Sequence, residues 1–276
     1  MSDRRLTPAN ARVAHESLRG LVDAPRYAEG QTRLIGVPVA DLMDAPDGRR
    51  ARQMQMGESV NVLDTHQGWS FVQATRDDYV GYLRDEHVSE GAAPTHMVGA
   101  RATHVYSEPD FKSPERAFLG HGARLHVLDE AGRFARTPQG FVPAAHLSPL
   151  DEVAGDPVDV AALYLGTPYL WGGNSALGID CSGLVQAACL ACGIACPGDS
   201  DMQAESLGVA LPDGSAPRRG DLMFWKGHVG WLSAPDMLLH ANVHHMAVAH
   251  EPLARAITRI EVQGDGPVTA HKRLEG

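Results

Sequence analysis

Between about Leu34 and Leu147 the chain alternates apolar and polar residues in short runs, "VNVLD", "WSFVQA" and "YVGYL", then "RLHVLD", "RFART" and "GFVPAAHL", with Gly, Pro and Asp between them. Period-two runs of about five residues broken by turn formers predict antiparallel strands joined by tight turns. The pattern occurs twice. Gly57–Val88 and Gly122–Leu147 each run from a Gly through a hydrophobic-Val-Leu-Asp strand to an aromatic strand, a turn and an aromatic-Val closing strand. A repeat of about 60 residues implies two small β-barrels. Ahead of it, the spacing of Val13, Leu18 and Leu21 predicts a helix within Thr7–Ala24, packed on the barrels.

After Asp151 the period lengthens. "DPVDVAALYLG" opens with Asp156 as cap and Pro157 in the first turn, then sets Val160, Leu163 and Tyr164 on one face, which predicts a helix ending at Gly166. A second helix is predicted from Cys181, carried by Leu184, Val185, Ala188 and Cys192 and stopped at Gly193. Beyond "PRRGD", the runs "LMFW", "HVGWLSA", "MLLHANV" and "MAVAHEPL" predict strands, followed by a basic "HKR" edge strand or tail. Helices followed by a strand-rich half make this part α+β. The expected layout is a helical segment at 1–30, barrels at 31–92 and 93–150, and an α+β domain at 151–276.

Composition narrows the class. With 43% hydrophobic and 21% charged residues the chain has the make-up of a folded globular protein. A net charge of −10 argues against nucleic acid or an anionic membrane as partner. No segment has the roughly 7 to 15 apolar residues of a signal peptide core behind a basic start, or the roughly 18 of a membrane span. The cytoplasm is therefore the expected location, and in that reducing setting four cysteines are not expected to pair.

All four lie in one stretch, Cys181, Cys189, Cys192 and Cys196. Their C-x7-C-x2-C-x3-C spacing lacks the paired form of a zinc site, so no metal is expected. Cys189, Cys192 and Cys196 sit in or just after an apolar helix and read as small core residues. Cys181 differs, because it starts a helix, where unpaired N–H groups and the helix dipole are expected to lower a thiol pKa. A nucleophile needs a base. His228 lies between glycines in an apolar strand, and a hairpin through "SAPDM" would lay His240 beside it, where His240 is expected to accept the Nδ1 proton of His228 and turn the other nitrogen to the thiol.

These motifs together resemble the NlpC/P60 cysteine peptidases. "GTPYLWGGNSALGIDCSGLV" is similar to that family's Tyr-x-Trp-Gly-Gly…Asp-Cys-Ser-Gly block, "RRGDLMFWKGHVGW" to its Gly-Asp-Leu…His-Val-Gly block, and "LLHAN" to its closing His-Ala. The repeats, with Gly-Trp before the second strand and "DDYVGYL" at the close, resemble bacterial SH3-type domains, the second copy lacking the Trp. The resemblance implies a papain-like catalytic domain behind two SH3-like barrels, with Cys181 as nucleophile, His228 as general base and acid, His240 as the orienting third member and Tyr169 on the oxyanion side. It implies no cofactor.

Within the family, "GIDCSG" with "DSDMQ" behind two SH3-like domains resembles the intracellular γ-D-glutamyl-L-diamino acid endopeptidases, which recycle murein peptides bearing a free N-terminal L-Ala. That likeness implies Asp180 at the ammonium, Ser182 and Ser200 at the L-Ala–D-Glu backbone or carboxylate, Trp171 lining the slot, and Tyr79 as the wall behind the amine. Two positions depart from the pattern. Gly198 stands where an Arg is expected, and Arg49, Arg50 and Arg52 stand where an acidic residue is common. A general cell-wall hydrolase, or an SH3-like binding module with an inactive catalytic domain, are the competing expectations.

Overall fold

The computed structural model describes residues 3–274, so the outermost positions of the first and last expected domains lie outside the described residues. The chain divides into two compact units, Met1–Asp151 and Glu152–Gly276.

In the first unit a seven-stranded antiparallel sheet runs, in spatial order, Arg50–Gln55, Val39–Met43, Val80–Arg84, Trp69–Ala74, Ser59–His66, Gln31–Ile35 and Val88–Ser89. Its alternation puts Leu42, Met54, Val60, Val72 and Leu83 inside one cluster, and Tyr79, expected as a wall of the substrate slot, is buried in the same cluster. A five-stranded sheet follows, ordered Glu115–Gly120, Ala102–Tyr106, Gly140–Pro143, Phe134–Thr137 and Asp129–Ala131. Beside it lies a three-stranded one of Arg124–Leu125, His96–Val98 and Leu147–Pro149. Their core is Val98, Val105, Leu119, Leu125 and Val142, joined by Met56 from the turn after Arg50–Gln55.

The helix expected within Thr7–Ala24 does not form. That stretch holds one 3-10 turn, Glu16–Leu18, and a two-residue strand, Ala14–His15, paired in parallel with Tyr27–Ala28. Only Val13 of the three apolar positions is buried, against Leu63 and Phe71, while Leu21 is 79% exposed. The reason is local. Asn10 Oδ1 accepts the N–H groups of Arg12 and Val13, and the Nδ1 of His15 takes that of Ser17, so side chains near the backbone outbid a helix with too narrow an apolar stripe.

The second unit is a six-stranded antiparallel sheet with helices on it. Its helices are α1 (Pro157–Leu163), α2 (Cys181–Ala191), α3 (Ser200–Ser206) and α4 (Leu253–Ile260). Its strands are β1 (Val209–Ala210), β2 (Asp221–Trp225), β3 (His228–Ala234), β4 (Met237–Asn242), β5 (Ala247–Pro252) and β6 (Ala270–Arg273), in spatial order β1-β6-β2-β3-β4-β5. The "HKR" segment is thus no edge strand: it lies between β1 and β2. A buried charge fixes it there. Asp221, with no exposed side-chain surface, takes Arg273 Nε at 2.6 Å and His271 Nε2 at 2.7 Å from β6. Burial disfavours the Asp221 charge, but Arg273 and His271 outweigh it and hold the carboxyl below its usual range.

The strands bury both faces. Met223, Trp225, Leu232 and Leu238 pack with Leu253, Ala256 and Ile260 of α4, while their alternates Leu222, Phe224, Val229, Trp231 and Leu239 are fully buried as well. Strands covered on both sides read as nearly unbroken apolar runs, as "DLMFW" and "HVGWL" do. α2 packs against β3 and β4, which brings its first residue to the start of β3.

Candidate active site

Helix α2 begins where it does because Asp180 caps it. Its Oδ1 accepts the Gly183 N–H at 2.6 Å and the Ser182 hydroxyl at 3.2 Å, and its Oδ2 accepts the Gly172 N–H at 2.8 Å. A capping side chain satisfies N–H groups that the first turn leaves without helical partners. Gly183 is required here by crowding, since a Cβ would come within 2.4 Å of the Gly173 carbonyl. Cys181 is therefore the first helical residue, buried, with its thiol directed at the Gly227 carbonyl 4.0 Å away and its sulfur also reached by the Val229 N–H. Those two residues flank His228, so the thiol lies against the start of β3.

His228 meets His240 across the β3–β4 hairpin, Nε2 to Nδ1 at 2.8 Å, with the rings edge to face at 5.1 Å. Gly230 permits this, because a Cβ there would stand 2.9 Å from the His240 Cβ and from Leu238. Trp225, paired with His228 in register, tilts over the His228 ring at 5.7 Å. The hairpin expected from "SAPDM" is thus present, but the nitrogen differs: His240 engages Nε2 of His228, not Nδ1.

Beyond His240 lies a residue the sequence reading did not single out. His240 Nε2 contacts Glu251 Oε2 at 3.1 Å, and Arg259 from α4 holds both oxygens of Glu251, Nε to Oε1 at 2.9 Å and Nη2 to Oε2 at 2.7 Å. Arg259, then His240, keep the Glu251 carboxyl well below the usual carboxylate range against the cost of burial.

The electrostatics of the thiol run against expectation. Burial, followed by the neighbouring Asp180 charge, pushes the Cys181 thiol up to about 12, although the N–H groups of Val229 and Ser182 pull the other way. Burial, then His240 and Arg259, brings His228 down to about 3. Both shifts favour a neutral thiol beside a neutral imidazole, so desolvation overrides the helix N-terminus. Tyr169, half-buried and held by its N–H on the Met246 carbonyl at 2.9 Å, has its phenol pushed up by burial and then by Cys181 and Asp180. It stays protonated.

Of the other expected residues, Ser182 sits in the cap network beside Cys181, and Ser200 opens α3, whose Gln203 donates to the Ser182 carbonyl at 2.9 Å. Trp171 is 71% exposed. Tyr79 belongs to the first unit, where Arg52 lies over its ring at 5.8 Å. Arg50 is paired with Asp41. None of the four cysteines is in a disulfide; Cys189 and Cys196 are buried and Cys192 is half-buried at the end of α2. Among the described residues, His240, His245 and Glu251 are close enough to share a cation, but His240 and Glu251 already bind each other and Arg259 occupies the carboxylate.

Cys181 at the start of α2 and the His228–His240 pair on the sheet beside it are the residue types a cysteine peptidase uses. Comparison with known proteins agrees. Residues 166–261 match the NlpC/P60 family and residues 42–88 match the bacterial dipeptidyl-peptidase SH3 domain. The chain is 31% identical over 216 residues to a gamma-D-glutamyl-L-lysine dipeptidyl-peptidase of Bacillus subtilis, spanning 68% of this chain and 71% of that one. It is 28% identical to the dipeptidyl-peptidase 6 of Lysinibacillus sphaericus, over 74% of this chain and 85% of the relative. An NlpC/P60 family crystal structure from Bacillus cereus superposes with a TM-score of 0.74 at 20% identity, covering 88% of this chain and 99% of that one. The chain belongs to the NlpC/P60 family and carries an N-terminal SH3 domain.

Proposed function

We propose that the protein cleaves the amide bond between γ-D-Glu and a diamino acid in murein peptides that carry a free N-terminal L-Ala. The observation that carries this reading is the 2.8 Å contact of His228 with His240 beside the Cys181 thiol. The similarity to relatives named dipeptidyl-peptidases supports the substrate class. Layout follows the same reading: a lead-in segment at 1–30, SH3-like barrels at 31–92 and 93–150, and a papain-like catalytic domain at 151–276. Peptides with a free amine have already left the wall, so we assign the activity to recycling in the cytoplasm. No helix among the described residues is long and apolar enough to cross a membrane.

In this mechanism Cys181 attacks the γ-carbonyl as Nδ1 of His228 takes the thiol proton, so the S–C bond and the imidazolium form together. The Cys181 N–H, in the first helical turn, and the Tyr169 hydroxyl face the developing oxyanion. The imidazolium then protonates the departing amine, and water, activated by the same nitrogen, hydrolyses the thioester. Asp180 takes the L-Ala ammonium, a task it shares with capping α2, Ser182 and Ser200 contact the L-Ala–D-Glu unit, and Trp171 lines the slot.

The test compares L-Ala-γ-D-Glu-L-Lys and L-Ala-γ-D-Glu-diaminopimelate with their N-acetylated forms, products being identified by mass spectrometry. Acetylation removes a charge-assisted bond worth about 1.5 to 3 kcal/mol and adds bulk, so kcat/KM falls by roughly 100-fold. Equal rates on free and acetylated peptides point to a general wall hydrolase. No cleavage of any of them points to a binding module.

A further inference from the structure

We infer that Glu251, clamped by Arg259, is a positioning residue that fixes the direction of the proton chain through both histidines and so leaves Nδ1 of His228 as the base. The inference rests on the reading of Cys181, His228 and His240 as the catalytic group. It follows from which atoms face one another. Glu251 oxygens can only accept, because Arg259 donates to both. His240 Nε2, 3.1 Å from Glu251 Oε2, must then carry the proton, and a neutral imidazole with its hydrogen there has a bare Nδ1. That bare Nδ1 accepts from His228 Nε2 at 2.8 Å. His228 is left with its lone pair on Nδ1, the nitrogen that a thiol proton must reach.

Without the carboxylate the order is no longer imposed. His240 can then carry its hydrogen on Nδ1, donate to His228 Nε2, and put the His228 hydrogen on Nδ1, which removes the base. The groups around the pair are few: Cys181 from α2, His245 from the turn after β4, Glu251 from β5 and Arg259 from α4. Only Glu251 is anionic among them. It reaches His240 from two residues beyond Ala249, the position paired with His240, so the contact runs diagonally between strands.

The experiment uses the full chain labelled with 15N-histidine, with the two resonances assigned from His228→Gln and His240→Gln. In the unsubstituted protein near pH 7, the shifts should show both rings protonated at Nε2. In Glu251→Gln they should show a mixture of tautomers, with kcat/KM lowered about 10- to 100-fold, mostly in kcat, as when the partner that orients a working histidine is lost. If Glu251→Gln does not fold, Arg259→Gln takes its place, since an unclamped carboxylate orients His240 less firmly; Arg259→Lys should restore most of the rate. A His228 ring protonated at Nδ1 in the unsubstituted protein overturns the inference. So does a rate loss with unchanged tautomers, which marks a purely structural role, and so does an unchanged rate. The tautomer readout needs no substrate, so failure to cleave murein peptides overturns the substrate assignment and not this one.

Discussion

Gly230 and His240 face each other so closely across β3 and β4 that a methyl group on the glycine would lie 2.9 Å from the histidine Cβ. Gly230→Ala should push β4 outward and lengthen the His228–His240 contact. A displacement of this kind is expected to lower kcat on the order of 100-fold while leaving most of the fold intact. Steady-state kinetics with a circular dichroism spectrum checks it, and an undiminished kcat would show that the hairpin tolerates the shift.

Cys181→Ser should abolish turnover without unfolding the protein, because the alcohol is a far weaker nucleophile. Cys189→Ala, Cys192→Ala and Cys196→Ala should keep activity within about tenfold, since those thiols contribute packing and, for Cys196, weak contacts with Gln203 and Pro197 rather than chemistry. A chelator should leave turnover unchanged. Substantial turnover by Cys181→Ser removes the nucleophile assignment.

The raised Cys181 thiol and lowered His228 imidazole give a pH signature. A preformed thiolate–imidazolium pair would react with iodoacetamide at a rate already level below neutral pH. A thiol pushed up to about 12 beside a base brought down to about 3 should instead alkylate slowly at neutrality and faster as pH rises through 8 to 10. Mass mapping of Cys181 against pH distinguishes the two, and a rate plateau from pH 5 to 8 contradicts the neutral pair.

Stability should also rise with pH. The folded His228 pKa, about 3, lies below the ordinary value of an unfolded histidine, so between these the unfolded chain binds the extra proton. Its contribution is fully present above about pH 6.5 and is lost as pH falls toward 3. Denaturant unfolding of the enzyme and of His228→Asn at pH 7 and 5 reads this: the loss on acidification should be smaller in the variant.

Much of this site was legible in the sequence, and the parts that were not share a cause. The start of α2 is written locally, in an Asp cap followed by an apolar stripe, and the His228–His240 pairing follows from a short turn between two apolar strands. Glu251 was hidden because its contact is diagonal between strands, two residues beyond Ala249, which is the residue paired with His240. The His228 nitrogen was misread for the same reason: which one faces a partner depends on ring orientation, not on spacing. The thiol shift was misjudged because a helix start is visible in sequence whereas burial beneath other segments is not. At the N-terminus, Val13, Leu18 and Leu21 suggested a stripe that side-chain bonding from Asn10 and His15 undid.

Removing the buried Asp221 should loosen the catalytic unit. Asp221→Ala strips Arg273 and His271 of their acceptor and should cost about 2 to 3 kcal/mol, measured as a lower unfolding midpoint. A change below about 0.5 kcal/mol would mean that the cluster contributes little.

The place of β6 also sets an order of birth. Its residues follow His240 by about thirty positions, yet it lies between β1 and β2 and pairs with the strand that leads into His228. While a ribosome has delivered only the hairpin bearing both histidines, β2 still presents an open edge and Asp221 waits for its two cations. The unit that carries the thiol is therefore completed only near residue 273, and a nascent or truncated chain ending before that point carries Cys181, His228 and His240 with β1 and β2 left unjoined.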